Sequence, residues 1–419
     1  MGFASSWIIS RTLFPEFIKE APDSNTGIIA VIPSCNEPAI TSLLDSLEAC
    51  IRPSCNVEVI VVVNAPADAG EDITTNNSLT LQKIESWKEN NKSFFRLFVI
   101  NIEKPSLKGW GVGLARKTGM DEALRRFNDL DLPEGVIACL DGDCTVSSDY
   151  FISLENELLS EVNRNACSVR FEHPLSGKEF HAGEYNAILQ YEIHLRYYYQ
   201  ALKYCGFPQV YHTVGSTIAV RALAYMKSGG MNRREAGEDF YFVQKLIPSG
   251  GYFSLNSATV YPSPRISGRV PFGTGHAVGR MIEKGEKEFM TYHPSAFEDL
   301  RSFFTLSSDA YCLAGEQLDN LYCRFPEPVR IFLPADQWKS KIMEISANTS
   351  TPESFRKRFY EWFNMFRIVK FLNSLHQHIY KKIPAAVAAK TIISMSGYDF
   401  KGESDIELLN YLRELEIRF

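Results

Sequence analysis

The chain has 419 residues, too many for one ordinary single-core domain, and its 45% hydrophobic and 22% charged residues are the balance of a folded globular protein rather than a disordered one. A net charge of -6 argues against a nucleic-acid partner, because phosphate backbones recruit surplus Lys and Arg. The nine cysteines are scattered and lack paired zinc spacing, so they read as reduced thiols of a cytoplasmic protein.

Met1 to Glu20 has no basic head followed by a continuous apolar core, and Arg11, Glu16 and Lys19 interrupt it, so it does not read as a signal peptide. No later stretch approaches the roughly 20 uninterrupted apolar residues of a spanning helix, which leaves peripheral contact at the inner face of a membrane as the only membrane contact to expect. Gly27 to Pro33 is a short apolar run closed by proline and followed by a helical pattern from Ala39 to Ala49, which predicts strand then helix. Val57 to Val63 is β-branched and free of polar residues after Glu58, as suits a strand buried on both faces of a parallel sheet. Phe95 to Ile102 predicts a third strand, Leu114 to Phe127 a helix, and Val136 to Leu140 a fourth strand that stops at an acidic cluster. Alternating strands and helices predict an open, mostly parallel α/β sheet flanked by helices, whose ligands bind beyond the carboxyl ends of the strands.

Past Tyr150 the pattern loosens. Glu184 to Tyr204 is a Tyr-loaded helix whose spacing favours core packing, Val210 to Val220 reads as a strand, Phe240 to Leu246 as a helix and Tyr252 to Val260 as extended. From about Ala296 onward the pattern is helical and amphipathic, clearest over Phe355 to Tyr380. The resulting division is a lead-in over 1–26, an α/β domain over 27–284 and a helical C-terminal region over 285–419.

Asp141-Gly142-Asp143 directly follows the fourth strand. In extended backbone, side chains at i and i+2 point the same way, so both carboxylates face one hard cation such as Mg²⁺ or Mn²⁺, and Gly142 leaves room for a ligand. The plainer reading is a polar turn capping the helix after Ser147, Ser148 and Asp149. Gly109, Gly111 and Gly113 permit close backbone approach beside Lys108, Arg116 and Lys117, which suits a diphosphate or merely a tight turn; the Gly-Lys-Ser/Thr ending of a Walker A loop is absent. Glu238-Asp239 follows Gly237 at a helix start, where an anion is stabilised whether or not it has a chemical task. Arg265 and Arg269 lie in a Gly/Pro-rich segment and read as a clamp for a diphosphate or as a solvated loop.

The order of these motifs resembles a family 2 glycosyltransferase of the GT-A fold over roughly residues 27 to 280. Ile32-Pro33-Ser34-Cys35-Asn36-Glu37 is similar to the family's opening strand and loop, Gly109 to Gly119 to its glycine-rich loop and Ala-Arg helix, and Asp141-Gly142-Asp143 to its Asp-x-Asp. Gly215 to Arg221, Gly229-Gly230 and Gly237-Glu238-Asp239 are similar to its acceptor-side segment and Glu-Asp motif. The resemblance implies transfer of a sugar from a nucleotide-diphospho-sugar donor to a saccharide, lipid-linked or small-molecule acceptor, with inversion and no covalent intermediate. It implies donor binding by Pro33, Asn36, Glu37, Asn64, Lys108, Gly111, Gly113, Arg116, Asp141, Gly142, Arg265 and Arg269. Asn64 stands where many members carry Asp. Asp141 and Asp143 would hold the divalent cation, with His276 as a third ligand and His212 as its rival. Asp239 would be the general base and Glu238 would orient acceptor or base. A nucleotidyltransferase making the nucleotide-sugar and a non-catalytic nucleotide-sugar-binding protein are the competing readings.

Overall fold

The computed structural model describes residues 2–37, 39–66, 68–102, 111–234, 237–266 and 273–418. Its elements run α1 (Ser5–Arg11), β1 (Thr26–Ser34), α2 (Ile40–Glu48), β2 (Asn56–Asn64), α3 (Glu71–Asn90), β3 (Arg96–Ile102), α4 (Val112–Asp129), β4 (Val136–Cys139), β5 (Thr145–Val146), α5 (Tyr150–Leu154) and β6 (Ala166–Phe171). They continue with α6 (Ala182–Tyr204), β7 (Ile218–Arg221), α7 (Ala222–Lys227), α8 (Glu238–Leu246), β8 (Tyr252–Tyr261) and α9 (Thr274–Glu283).

These eight strands form one sheet in the order β3-β2-β1-β4-β7-β6-β8-β5. β1 pairs in parallel with β2 and β4, β2 with β3, and β6 with β8; β4 and β6 both run antiparallel to β7, and β5 to β8. All nine residues of β1 are buried, and alternate side chains go to opposite faces: Ile28, Ala30 and Ile32 pack towards α2, while Ile29 and Val31 pack towards α4. Helices cover both faces, which is why the runs in β1 and β2 are almost wholly apolar rather than alternating. The exception is Glu58, fully buried in β2, whose carboxylate accepts from Arg126 Nε and Nη2 on α4.

One expectation is corrected here. The stretch from Val210 to Val220 is strand only from Ile218, because Gly215 to Thr217 forms a 3₁₀ turn and pairing with β6 starts at Ile218. The chain forms one compact unit of Met1–Phe180 with Tyr211–His276 and another of His181–Val210 with Ala277–Phe419. The lead-in belongs to the first unit because Ala4 and Ile18 enter its core and Glu122 Oε1 accepts from Ile18 N at 2.8 Å.

In the second unit α6 is a structural hub. Its Glu192 is fully buried and accepts from Arg196 Nε and Arg413 Nε, each at 2.8 Å, and Tyr197 Oη donates to the Tyr292 carbonyl at 2.8 Å. Of the Tyr-rich stretch, Tyr197 and Tyr199 are buried, as its spacing predicted, while Tyr191, Tyr198 and Tyr204 are half-buried. Helices follow over Ser295–Ser307, Glu316–Cys323, Glu327–Phe332, Ala335–Ala347, Pro352–Trp362, Met365–His378, Ala385–Met395 and Asp405–Ile417. The long amphipathic pattern from Phe355 to Tyr380 is two helices, because the Asn364 side chain caps a new start by accepting from Arg367 N. Among the described residues no helix is long and apolar enough to cross a membrane.

Candidate functional site

The carboxyl ends of the parallel strands β2, β1 and β4 carry the site, as the crossover topology requires. β1 ends with Pro33, buried in register with Val62, and Ser34; the chain then turns through Asn36, whose φ is +52°. Asn36 N donates to Asn77 Oδ1 at 2.8 Å, and Asn77 Nδ2 donates to the carbonyl of Asn64 at the end of β2, at 2.9 Å. Asn64 Nδ2 donates in turn to the Gly111 carbonyl at 3.1 Å. A chain of amides thus ties the loop after β1 to the strand beside it and to the start of α4. Asn77 was not singled out from the sequence. It sits in a largely polar helix, and its one signal is an amide whose partners lie 13 and 41 residues away.

Gly111 has φ +143°, a conformation rare for any other residue, at the point where the chain enters α4. Gly113 lies against the Arg234 backbone, with no room for a side chain. Lys108, Gly109 and Arg269 lie outside the described residues.

Arg116, about one turn into α4, is fully buried. Its Nη2 donates to Asp141 Oδ1 at 2.5 Å and its Nη1 to Glu238 Oε1, joining the end of β4 to the start of α8. The guanidinium rests against Gly215, where a Cβ would come within 2.8 Å of both terminal nitrogens. Burial opposes its charge, but Asp141 and Glu238 outweigh that and hold it protonated well above the ordinary arginine range. Engaged in this way, Arg116 is a strut between two acidic segments rather than a free phosphate ligand.

The second guanidinium is Arg265, four residues past β8. It donates from Nε to Asp143 Oδ2 at 2.7 Å and from Nη2 to Glu37 Oε2 at 2.5 Å. Glu37 reaches this position because Gly142 has no side chain: a Cβ there would stand 2.8 Å from Glu37 Cγ. The turn from Asp141 to Cys144, closed by Cys144 N to the Asp141 carbonyl at 3.1 Å, presents Asp141 and Asp143 to these two arginines.

Glu238 and Asp239 open α8 behind Gly237, which is left-handed at φ +69°. Burial pushes the Glu238 carboxyl up, against the lowering effect of Arg116, and Asp239 adds to the rise. Burial likewise raises Asp239, opposed by Arg116 and by the hydrogen bond from Phe240 N to its Oδ1 at 2.7 Å. A carboxylate with a raised pKa is a better proton acceptor than an ordinary surface Asp.

His276 is exposed in the first turn of α9. The backbone carbonyl of the rival, His212, accepts from Ser168 Oγ at 2.6 Å, and its ring stands edge-on to Phe171. Among the described residues no three His, Cys, Asp or Glu side chains are grouped to hold a metal ion. Two hard carboxylates on one short turn nonetheless suit Mg²⁺ or Mn²⁺, which take one or two protein carboxylates and complete their shell with water and substrate phosphate. That both carboxylates already face guanidinium groups shows that this corner attracts positive charge.

No family model and no curated protein matches the chain. Among solved structures the chain is similar to Staphylococcus aureus TarS 1-349 in complex with UDP-GlcNAc, at 14% identity and TM-score 0.40 over 82% of this chain and 93% of that one. It spans about half (54%) of the longer TarS chain. It is also similar to the mannosyltransferase PcManGT from Pyrobaculum calidifontis in complex with GDP-Man and Mn²⁺, at 14% identity and TM-score 0.38 over 98% and 92%. A third is the Mycobacterium tuberculosis glucosyl-3-phosphoglycerate synthase with Mn²⁺, UDP and glucosyl-3-phosphoglycerate, at 14% identity and TM-score 0.33 over 56% and 72%.

Proposed function

We propose that this chain is a glycosyltransferase of the GT-A kind that moves a sugar from a nucleotide-diphospho-sugar to an acceptor hydroxyl with inversion. The observation that carries this reading is the gathering of Glu37, Asp141, Asp143 and Glu238 on two guanidinium groups beyond the carboxyl ends of β1 and β4, with the Asp239 charge acting on Arg116 as well. Such an array of alternating charge suits a ligand that brings both phosphate and a metal ion. A divalent cation held by Asp141 and Asp143 would offset the negative charge that develops on the departing diphosphate.

The amide chain through Asn64 and Asn77 orients the nucleoside end of the donor, and Arg265 faces its diphosphate. Asp239 takes the proton of the acceptor hydroxyl as that oxygen bonds to the anomeric carbon. The bond from that carbon to the phosphate oxygen breaks, and its electron pair leaves with the nucleoside diphosphate. Glu238, fixed by Arg116, holds the base in place. We read the nine free thiols as those of a cytoplasmic protein.

A thermal-shift series with UDP, GDP and ADP, each with and without Mn²⁺, tests the reading, since a ligand that binds only the folded state raises its apparent stability. A rise with at least one diphosphate that grows with Mn²⁺ is expected. No response to any of the three, with or without metal, overturns it.

A further inference from the structure

The two arginines of the site differ in freedom. Arg116 is fully buried, on a helix, and pinned between Asp141 and Glu238. Arg265 sits on an irregular segment past a strand end and keeps 20% of its side-chain surface exposed, yet its fork spans Glu37 after β1 and Asp143 after β4. Of the pair, only Arg265 is placed to change partners without unfolding its surroundings.

We propose that Arg265 is an internal counter-ion to the acidic corner formed by Glu37 and Asp143, so that a divalent cation and a nucleoside diphosphate bind cooperatively by displacing it together. The inference rests on the glycosyltransferase reading and deepens it. Asp143 cannot offer its full charge to a metal ion while a guanidinium neutralises it, so Arg265 and the cation compete. A diphosphate offers the guanidinium a partner of greater charge and matching bidentate geometry, and so draws it off Asp143 and Glu37. The cation then meets an uncovered carboxylate. By linkage, whatever the diphosphate adds to cation affinity the cation returns to diphosphate affinity. A merely structural ion pair between Arg265 and its two carboxylates has no such consequence.

The test is titration calorimetry of Mn²⁺ into wild-type protein, Arg265→Gln and Arg265→Lys, each alone and with saturating UDP or GDP, corrected for chelation of Mn²⁺ by the free nucleotide. Wild type is expected to bind Mn²⁺ weakly alone and much more tightly with a diphosphate. Arg265→Gln is expected to bind Mn²⁺ alone roughly tenfold more tightly than wild type, the scale of one competing charge-assisted contact, and to lose most of the nucleotide's effect. Arg265→Lys keeps the charge but cannot fork between two carboxylates, so it falls between them. Equal Mn²⁺ affinity of wild type and Arg265→Gln, with binding otherwise intact, overturns the counter-ion proposal alone. No Mn²⁺ binding by any of the three proteins, with or without nucleotide, overturns the cation reading and the proposal with it.

Discussion

Arg116 Nη2 stands 2.5 Å from Asp141 Oδ1, so the acidic turn that ends β4 is braced from α4 by a group with no access to solvent. The same guanidinium holds Glu238, which makes one side chain responsible for the spacing of both acidic motifs.

Replacing Arg116 with Met would leave Glu238 as a buried charge without its partner. Loss of about 3–5 kcal/mol of stability is expected, as for other buried pairs broken on one side. Urea unfolding followed by circular dichroism measures it, and a loss below about 1 kcal/mol would show that Glu238 is neutral without its arginine.

Gly215→Ala probes the same brace from the opposite side. The added methyl would meet both terminal nitrogens of Arg116 at 2.8 Å, and the two carboxylates leave the guanidinium nowhere to retreat. Destabilisation of roughly 1–3 kcal/mol, the usual cost of overpacking, is expected in a thermal melt.

Asp239→Asn keeps the shape of the side chain and removes the proton acceptor. Transfer should fall by roughly 10²–10⁴, the usual contribution of a positioned general base, while binding of the nucleoside diphosphate changes little. Unaltered turnover would mean that another group takes the proton.

The second unit carries its own acid sensitivity. His194, packed against Tyr191 and Phe289 with its Nδ1 2.7 Å from Thr291 Oγ1, is held neutral by burial and by the nearby Lys382 charge, with its pKa lowered from 6.5 to about 3. Between those values the unfolded chain takes up a proton that the folded one refuses. Stability is therefore whole above pH 6.5 and falls as the pH drops towards 3, by at most about 1.4 kcal/mol per pH unit from this group. In His194→Gln that part of the acid slope should vanish, which unfolding curves at a series of pH values would reveal.

Much of the scaffold could be read before any coordinates. β1, β2 and β4 announce themselves because a strand buried on both faces must be apolar at every position, and the acidic turn after β4 stands out against that background. β6 went unread, since Ala166–Phe171 mixes Ser and Arg with apolar residues and becomes a strand through its pairing with β7 and β8. α3 went unread as well: Glu71–Asn90 is polar almost throughout and buries only Asn77, Thr80, Ile84 and Trp87.

The succession of strands and helices along the first 140 residues and the positions of the acidic and glycine-rich turns were determined by the sequence alone, because they follow from local periodicity and backbone freedom. Partnership was decided only by the tertiary structure. Arg116 read as a phosphate ligand and is found buried against Asp141 and Glu238; Glu37 and Asp143, 106 positions apart, meet on one guanidinium; and α6 leaves the sheet's unit for the helical one. Charge-to-charge pairing across such separations depends on where the strands end in space, and no pattern within a window of neighbouring residues encodes that.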